Sequence, residues 1–208
     1  MTSHTNQNLW RHACQLQGQS DHPSGLPPML FLTDNARVDD PLAIARSLPP
    51  GAGVILRDYD LVTRGQLADD LSVLCRLNHL LLLIAGSEGL AQQVGAHGVH
   101  MPEYAISQIA PIRHRHPDWW ITATAHSAPA ARRAHQAGAD AVLVSPVFST
   151  LSHPGAPTLG VRRFTAIARA SGLPTYALGG VDAQNVHRLR GSKACGIAAI
   201  GGLANQIK

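Results

Sequence analysis

The feature that most restricts this chain's fold is a regular beat, in which short apolar runs alternate with helical stretches from about residue 29 to residue 200. The apolar runs predict strands at Met29–Thr33, Val54–Arg57, Leu80–Ala85 and Gly98–His100, then at Trp119–Thr124, Ala141–Val144, Thr175–Leu178 and Gly196–Ile200. Between them the spacing predicts helices at Asp39–Leu48, Arg64–Leu77, Ser87–Val94, Ala105–His116, Ala128–Ala137, Val161–Ala170 and Asp182–Leu189. Eight strands and seven helices in alternation imply a single-domain (β/α)8 TIM barrel, not an open doubly wound sheet. Residues 27–208 form the expected barrel, and residues 1–26, polar apart from a few residues such as Trp10 and Leu16, read as a partly ordered N-terminal extension.

In such a barrel, function sits where the strands' carboxyl ends meet the loops that follow. The most informative stretch is Asp140–Gly160, where the buried-type run Ala141–Val144 turns abruptly into a loop rich in Ser, Thr, Pro, His and Gly. Ser149, Thr150, Ser152 and the ionisable His153 could hold an anion there, and an ordinary βα connection would have the same composition. Two Gly pairs strengthen the anion reading. Gly179-Gly180 and Gly201-Gly202 follow the seventh and eighth strands, where barrel enzymes cradle phosphate with backbone N–H groups and a helix N-terminus. His126 falls between a strand and a helix, with Ser127 as N-cap, so its imidazole either moves protons at the barrel mouth or packs on the next loop. Arg57 either grips an anionic ligand or closes a salt bridge with Asp58 or Glu103. His100 is either a satisfied structural histidine or, with Thr124, part of the site.

Composition excludes several classes. The formal charge of +4 is spread along the chain without a Lys/Arg stripe, which argues against nucleic acid and is compatible with a small anionic ligand. Three well-separated cysteines, Cys14, Cys75 and Cys195, give neither a disulfide framework nor a zinc spacing and suit a reducing cytoplasm. The twelve histidines include no metal-ligand pair of the HExxH kind. The apolar run Leu80–Ala85 is too short to span a bilayer, and the N-terminus has no signal-like segment, so no membrane partner is expected. Trp119-Trp120 hints at a homodimer.

Seven segments carry a resemblance: LFLTD (Leu30–Asp34), ILR (Ile55–Arg57), VGAHGVHM (Val94–Met101), TAHS (Thr124–Ser127), AGADAVLVSPVFST (Ala137–Thr150), YALGGV (Tyr176–Val181) and GIAAIGGL (Gly196–Leu203). In order and spacing they resemble thiamine-phosphate synthase and its relative TenI, a thiazole tautomerase. The resemblance implies a (β/α)8 barrel that binds a thiazole phosphate through Thr150, Ser152, Gly179, Gly180 and the Ile200-Gly201 backbone. It also shows departures. The synthase joins a pyrimidine-methyl diphosphate to the thiazole phosphate using Mg²⁺, and its Arg-Glu-Lys motif is matched by Arg57-Asp58-Tyr59. Its metal-binding Asn-Asp is matched by Ala85-Gly86, a second metal-binding Asp falls near Ala105, and its phosphate-loop Lys is matched by His153. TenI lacks the metal machinery, and its proposed acid/base His is matched by His126. The resemblance therefore implies a cofactor-free tautomerase that moves a proton between carbons of a carboxythiazole phosphate through His126, with Arg57, Thr124, His100 and His153 as further substrate contacts. The alternatives are a divergent Mg²⁺-dependent synthase in which Glu103, His153 and Arg57 take over lost roles, or a non-catalytic phosphate-ester binding or regulatory protein.

Overall fold

The computed structural model describes residues 4–21, 25–150, 155 and 157–204. Strands β1 (Met29–Leu32), β2 (Gly53–Leu56), β3 (Leu81–Ala85), β4 (Gly98–Met101), β5 (Trp120–Ala125), β6 (Ala141–Val144), β7 (Thr175–Leu178) and β8 (Gly196–Ala199) pair in chain order. All are parallel, and β8 returns to β1 through Leu30 opposite Ala198, so the sheet closes as a TIM barrel without an edge. Alternation along each strand sorts the side chains. Leu30, Leu32, Ile55, Leu83, Leu143 and Tyr176 fill the inside, while Val54, Leu82, Ile84, Val142 and Ile197 join the layer under the helices.

Helices α2 (Pro41–Ser47), α3 (Arg64–Leu77), α4 (Glu88–Gln93), α5 (Ile109–Arg115), α6 (Ala128–Ala137), α7 (Gly160–Ser171) and α8 (Gly201–Ala204) cover the barrel, and α1 (His4–Gly18) precedes it. The caps follow the residue chemistry. Asp40 accepts from Ala43 N with Pro41 in the first turn of α2, and Gly138 ends α6 at φ 95°. Two expected helices differ. The stretch expected as a helix at Ala105–His116 divides into a 3₁₀ helix, Glu103–Gln108, followed by α5. Pro111, which has no N–H to donate, thereby stands in the first turn of α5 instead of mid-helix. The stretch Asp182–Leu189 narrows to a 3₁₀ turn at Val186–Leu189. Asp182 Oδ1 takes the N–H groups of Gln184 and Asn185, and Asn185 Nδ2 donates to Gly180 O at 2.7 Å, so side chains compete with the helical ladder there.

That shortfall, together with the four-residue α8, leaves the outside of β8 thinly covered. Helix α1 fills the gap, lying against β8, β1 and the Val186–Leu189 turn with Leu9 and Ala13 fully buried and Leu16 nearly so. Gln17 Nε2 donates to Leu26 O at 2.6 Å and ties its end to the barrel. Trp119 stacks on His116 with ring centroids 3.7 Å apart, and Trp120 packs against the barrel interior. Both tryptophans contribute to this chain's own packing and both stay partly exposed. Among the described residues no helix is long and apolar enough to cross a membrane.

Candidate active site

The loops after β6, β7 and β8 meet at one side of the barrel mouth, and backbone contact locks them together. Val147 N donates to Leu178 O at 2.9 Å and Phe148 N to Gly179 O at 3.0 Å, so the β6 loop runs on beside the β7 exit. Gly180 sits at φ +65°, and a Cβ there would stand 2.2 Å from Ser149 O. Only glycine permits both the left-handed backbone and the close approach. Gly179 is likewise pressed on Pro146, and Gly202 on Val181 O. Gly201 is different: a Cβ there would meet nothing within 4 Å, so it faces open space at the start of α8. Thr150 is half-buried beside this wall, and Ile200 packs its side chain partly into the core, leaving its backbone to the turn. The structure thus gathers Thr150, Gly179, Gly180, Ile200 and Gly201 on three adjacent strand ends; Ser152 and His153 lie outside the described residues.

His126 follows β5 directly and is exposed at the mouth. Its N–H donates to Glu103 Oε2 at 2.8 Å, and its Nδ1 lies 2.8 Å from Ser145 O at the end of β6. A carbonyl oxygen can only accept, so Nδ1 is the donor of this pair, and Nε2 has no hydrogen-bond partner among the described residues. Ser127 caps α6 through Ala130 N at 3.3 Å, which leaves the imidazole out of the capping role. The ring is thus held through Nδ1 and the residue's backbone through Glu103, which leaves Nε2 as the unpartnered ring nitrogen.

Three expected ligand contacts, His100, Thr124 and Arg57, have partners within the chain. His100 is buried, with Nδ1 2.9 Å from Thr122 Oγ1 and Nε2 2.9 Å from Thr124 Oγ1, so both ring nitrogens and the Thr124 hydroxyl are engaged inside the barrel. Desolvation, with the Arg57 charge adding, pushes the His100 pKa down to about 4. Arg57 pairs with Asp34, at the end of β1, instead of Asp58 or Glu103. Asp34 also binds Arg37. Burial alone would raise the Asp34 carboxyl, but the hydrogen bond and charge of Arg37 and the charge of Arg57 outweigh it and hold the pKa below the ordinary value. Asp58 accepts from Asn35 N at 2.6 Å. The first strand's Asp34 escaped the sequence reading as a site residue, although it closes the LFLTD segment.

His100 gives a pH prediction with a defined sign. Unfolded, it takes up a proton near pH 6.5, whereas folded it resists protonation until about pH 4. Between those values the unfolded chain binds more protons, so stability falls as pH falls, by roughly 3 kcal/mol across the window. Urea unfolding at steps from pH 7 to pH 4 should show this slope, and His100→Gln should flatten it. An unchanged slope in the variant would remove His100 as its source.

Each carboxylate around the mouth already has at least one partner. Asp34 is taken by two arginines, Asp58 by Asn35 N, and Glu103 by His126 N with Arg133 at 3.7 Å. Ala85, Gly86 and Ala105 offer no side-chain oxygen, and among the described residues no three His, Cys, Asp or Glu side chains group as metal ligands. This donor set does not fit a Mg²⁺ site, which needs near-octahedral oxygen ligation. A cavity of about 260 Å³ lies off the barrel axis between α4 and α5, lined by Gly86, Glu88, Met101, Gln108 and Arg115. Its charged pair is self-satisfied, since Arg115 Nη2 binds Glu88 Oε2 at 2.6 Å, so the chemistry points to the mouth instead.

A parallel barrel with glycine turns and an imidazole at its mouth is a setting that many unrelated barrel enzymes share, so similarity to known proteins narrows the class. A family model described as thiamine monophosphate synthase (TMP-TENI) matches residues 30–203. A thiamine-phosphate synthase of Salinispora arenicola is 33% identical over 190 residues, covering 88% of this chain and 91% of that protein. One from Coprothermobacter proteolyticus is 30% identical over 158 residues, covering 73% and 72%. Among solved structures, the thiamine phosphate pyrophosphorylase from Pyrococcus furiosus superposes with a TM-score of 0.74 at 22% identity, over 88% of this chain and 92% of that one. The chain belongs to the thiamine-phosphate synthase/TenI family.

Proposed function

We propose that this chain acts on a thiazole phosphate in thiamine biosynthesis and that its reaction is a metal-independent tautomerisation. The observation that supports this most is His126, whose Nδ1 is fixed on Ser145 O and whose Nε2 is left as a base at the mouth. With the phosphate held at the Gly179–Gly180 and Gly201 turns, Nε2 takes a proton from one carbon of the carboxythiazole ring system. The resulting imidazolium returns a proton to another carbon, which leaves the ring aromatic. Atoms balance without an oxidant or leaving group.

A second reading is favoured by the relatives, whose printed name is thiamine-phosphate synthase. It requires a diphosphate to leave, and the carboxylates near the mouth are committed to arginines and backbone N–H groups. The two readings separate in one experiment. The purified chain is offered carboxythiazole phosphate with EDTA, and separately the pyrimidine diphosphate plus thiazole phosphate with Mg²⁺. Aromatisation in EDTA is expected; thiamine phosphate formed only with Mg²⁺ would replace the first reading with the second.

A further inference from the structure

Helix α3 carries apolar residues on two faces. Its inner face, with Ala68, Leu71, Leu74 and Cys75, is buried against the barrel, while Val73 and Leu77 on the outer side stay 56% and 74% exposed. Among the described residues these are the large hydrophobic side chains that an α-helix leaves in solvent, since exposed Tyr59, Val62 and Tyr104 stand on loops or the 3₁₀ turn. A single exposed apolar residue needs no explanation, but Val73 and Leu77 are one turn apart and share a strip with exposed Gln66, Asp69, Asp70 and Arg76. The charges at one edge of that strip have no opposite charge within the chain. Asp69 bonds no described residue, and Arg76 donates from Nη2 to Ser72 Oγ at 3.3 Å without a described carboxylate partner.

The spacing makes the strip complementary to itself. Asp69 stands four residues before Val73 and Arg76 three after it, and about 3.6 residues per turn places both along the same edge. When two such helices lie antiparallel about a two-fold axis at Val73, each residue meets the position equally far beyond Val73 on the same edge. Asp69 then faces Arg76 of the second copy, twice by symmetry, while Val73 meets Val73 and Leu77 packs between Val73 and Gln66. A two-fold contact requires one patch that matches itself. We infer that the outer face of α3 is the contact of a two-fold homodimer, and that its occupant is a second copy of this chain. Because α3 runs along the side of the barrel, the two mouths point in opposite directions and neither is covered.

The test is sedimentation velocity on the full chain. A contact built on one 14-residue helix per copy is small, so a micromolar dissociation constant is expected, with wild type passing from one chain to two across about 1 to 100 µM. Asp69→Arg and Arg76→Asp each set like charges opposite one another at both symmetric contacts and should weaken association about 10-fold or more. The double variant restores both pairs with reversed sign and should recover most of the loss. Val73→Asp, which puts two carboxylates on the axis, should stay monomeric throughout. All three positions are exposed, so thermal melting close to wild type is expected and separates lost association from lost fold. A wild type that is monomeric over the whole range, single variants that associate like wild type, or a double variant no better than the singles would each overturn the inference.

Discussion

His126→Ala is expected to lower the rate of thiazole-phosphate aromatisation by about 10²- to 10⁴-fold while leaving the affinity for thiazole phosphate nearly intact. The split follows from the geometry. The glycine wall proposed to hold the phosphate is built from the exits of β6, β7 and β8, whereas His126 hangs from β5 through its backbone N–H to Glu103 and through Nδ1 to Ser145 O. Truncating the imidazole removes the proton carrier without touching the Gly179–Gly180 turn. Titration calorimetry beside a turnover assay checks both halves. A rate within about threefold of wild type, far inside the range general acid–base catalysis spans, would reassign the base. An equal loss in affinity would make His126 a binding residue.

The second large effect concerns the glycine wall. Gly180→Ala must place a methyl 2.2 Å from Ser149 O on a left-handed backbone, so the β6 and β7 loops must part. A cost of about 2–5 kcal/mol in stability is expected, from the left-handed penalty together with overpacking. Gly201→Ala makes the contrast, because its Cβ would meet nothing. It should leave stability unchanged or raise it by up to about 1 kcal/mol, and yet weaken phosphate-ester binding by intruding on the open side of the turn. Thermal melts and titrations with thiazole phosphate distinguish the two. If Gly180→Ala melted like wild type, the loop-on-loop contact would not be holding this wall in place.

The barrel was legible because each strand is short, apolar and followed by a helix with readable caps, so a local pattern carried global information. The glycine wall was legible for a related reason: Gly179-Gly180 and Gly201-Gly202 are adjacent pairs at strand ends. What escaped the sequence depends on which strands become neighbours. The Arg57–Asp34 pair spans the β1–β2 pairing, and the His100 bonds to Thr122 and Thr124 span β4–β5. Neither partner can be named before the register is fixed. Helix α1 had too little apolar periodicity to announce that it would stand in for cover missing from β8.

The most direct test of the central claim is to mix the purified chain with carboxythiazole phosphate in excess EDTA and follow aromatisation by ultraviolet absorbance, with His126→Ala alongside. The arrangement of His126 over a metal-poor mouth predicts turnover that chelation leaves unchanged and that the variant loses. Aromatisation that appears only when Mg²⁺ is restored, or that survives in the variant, would contradict it.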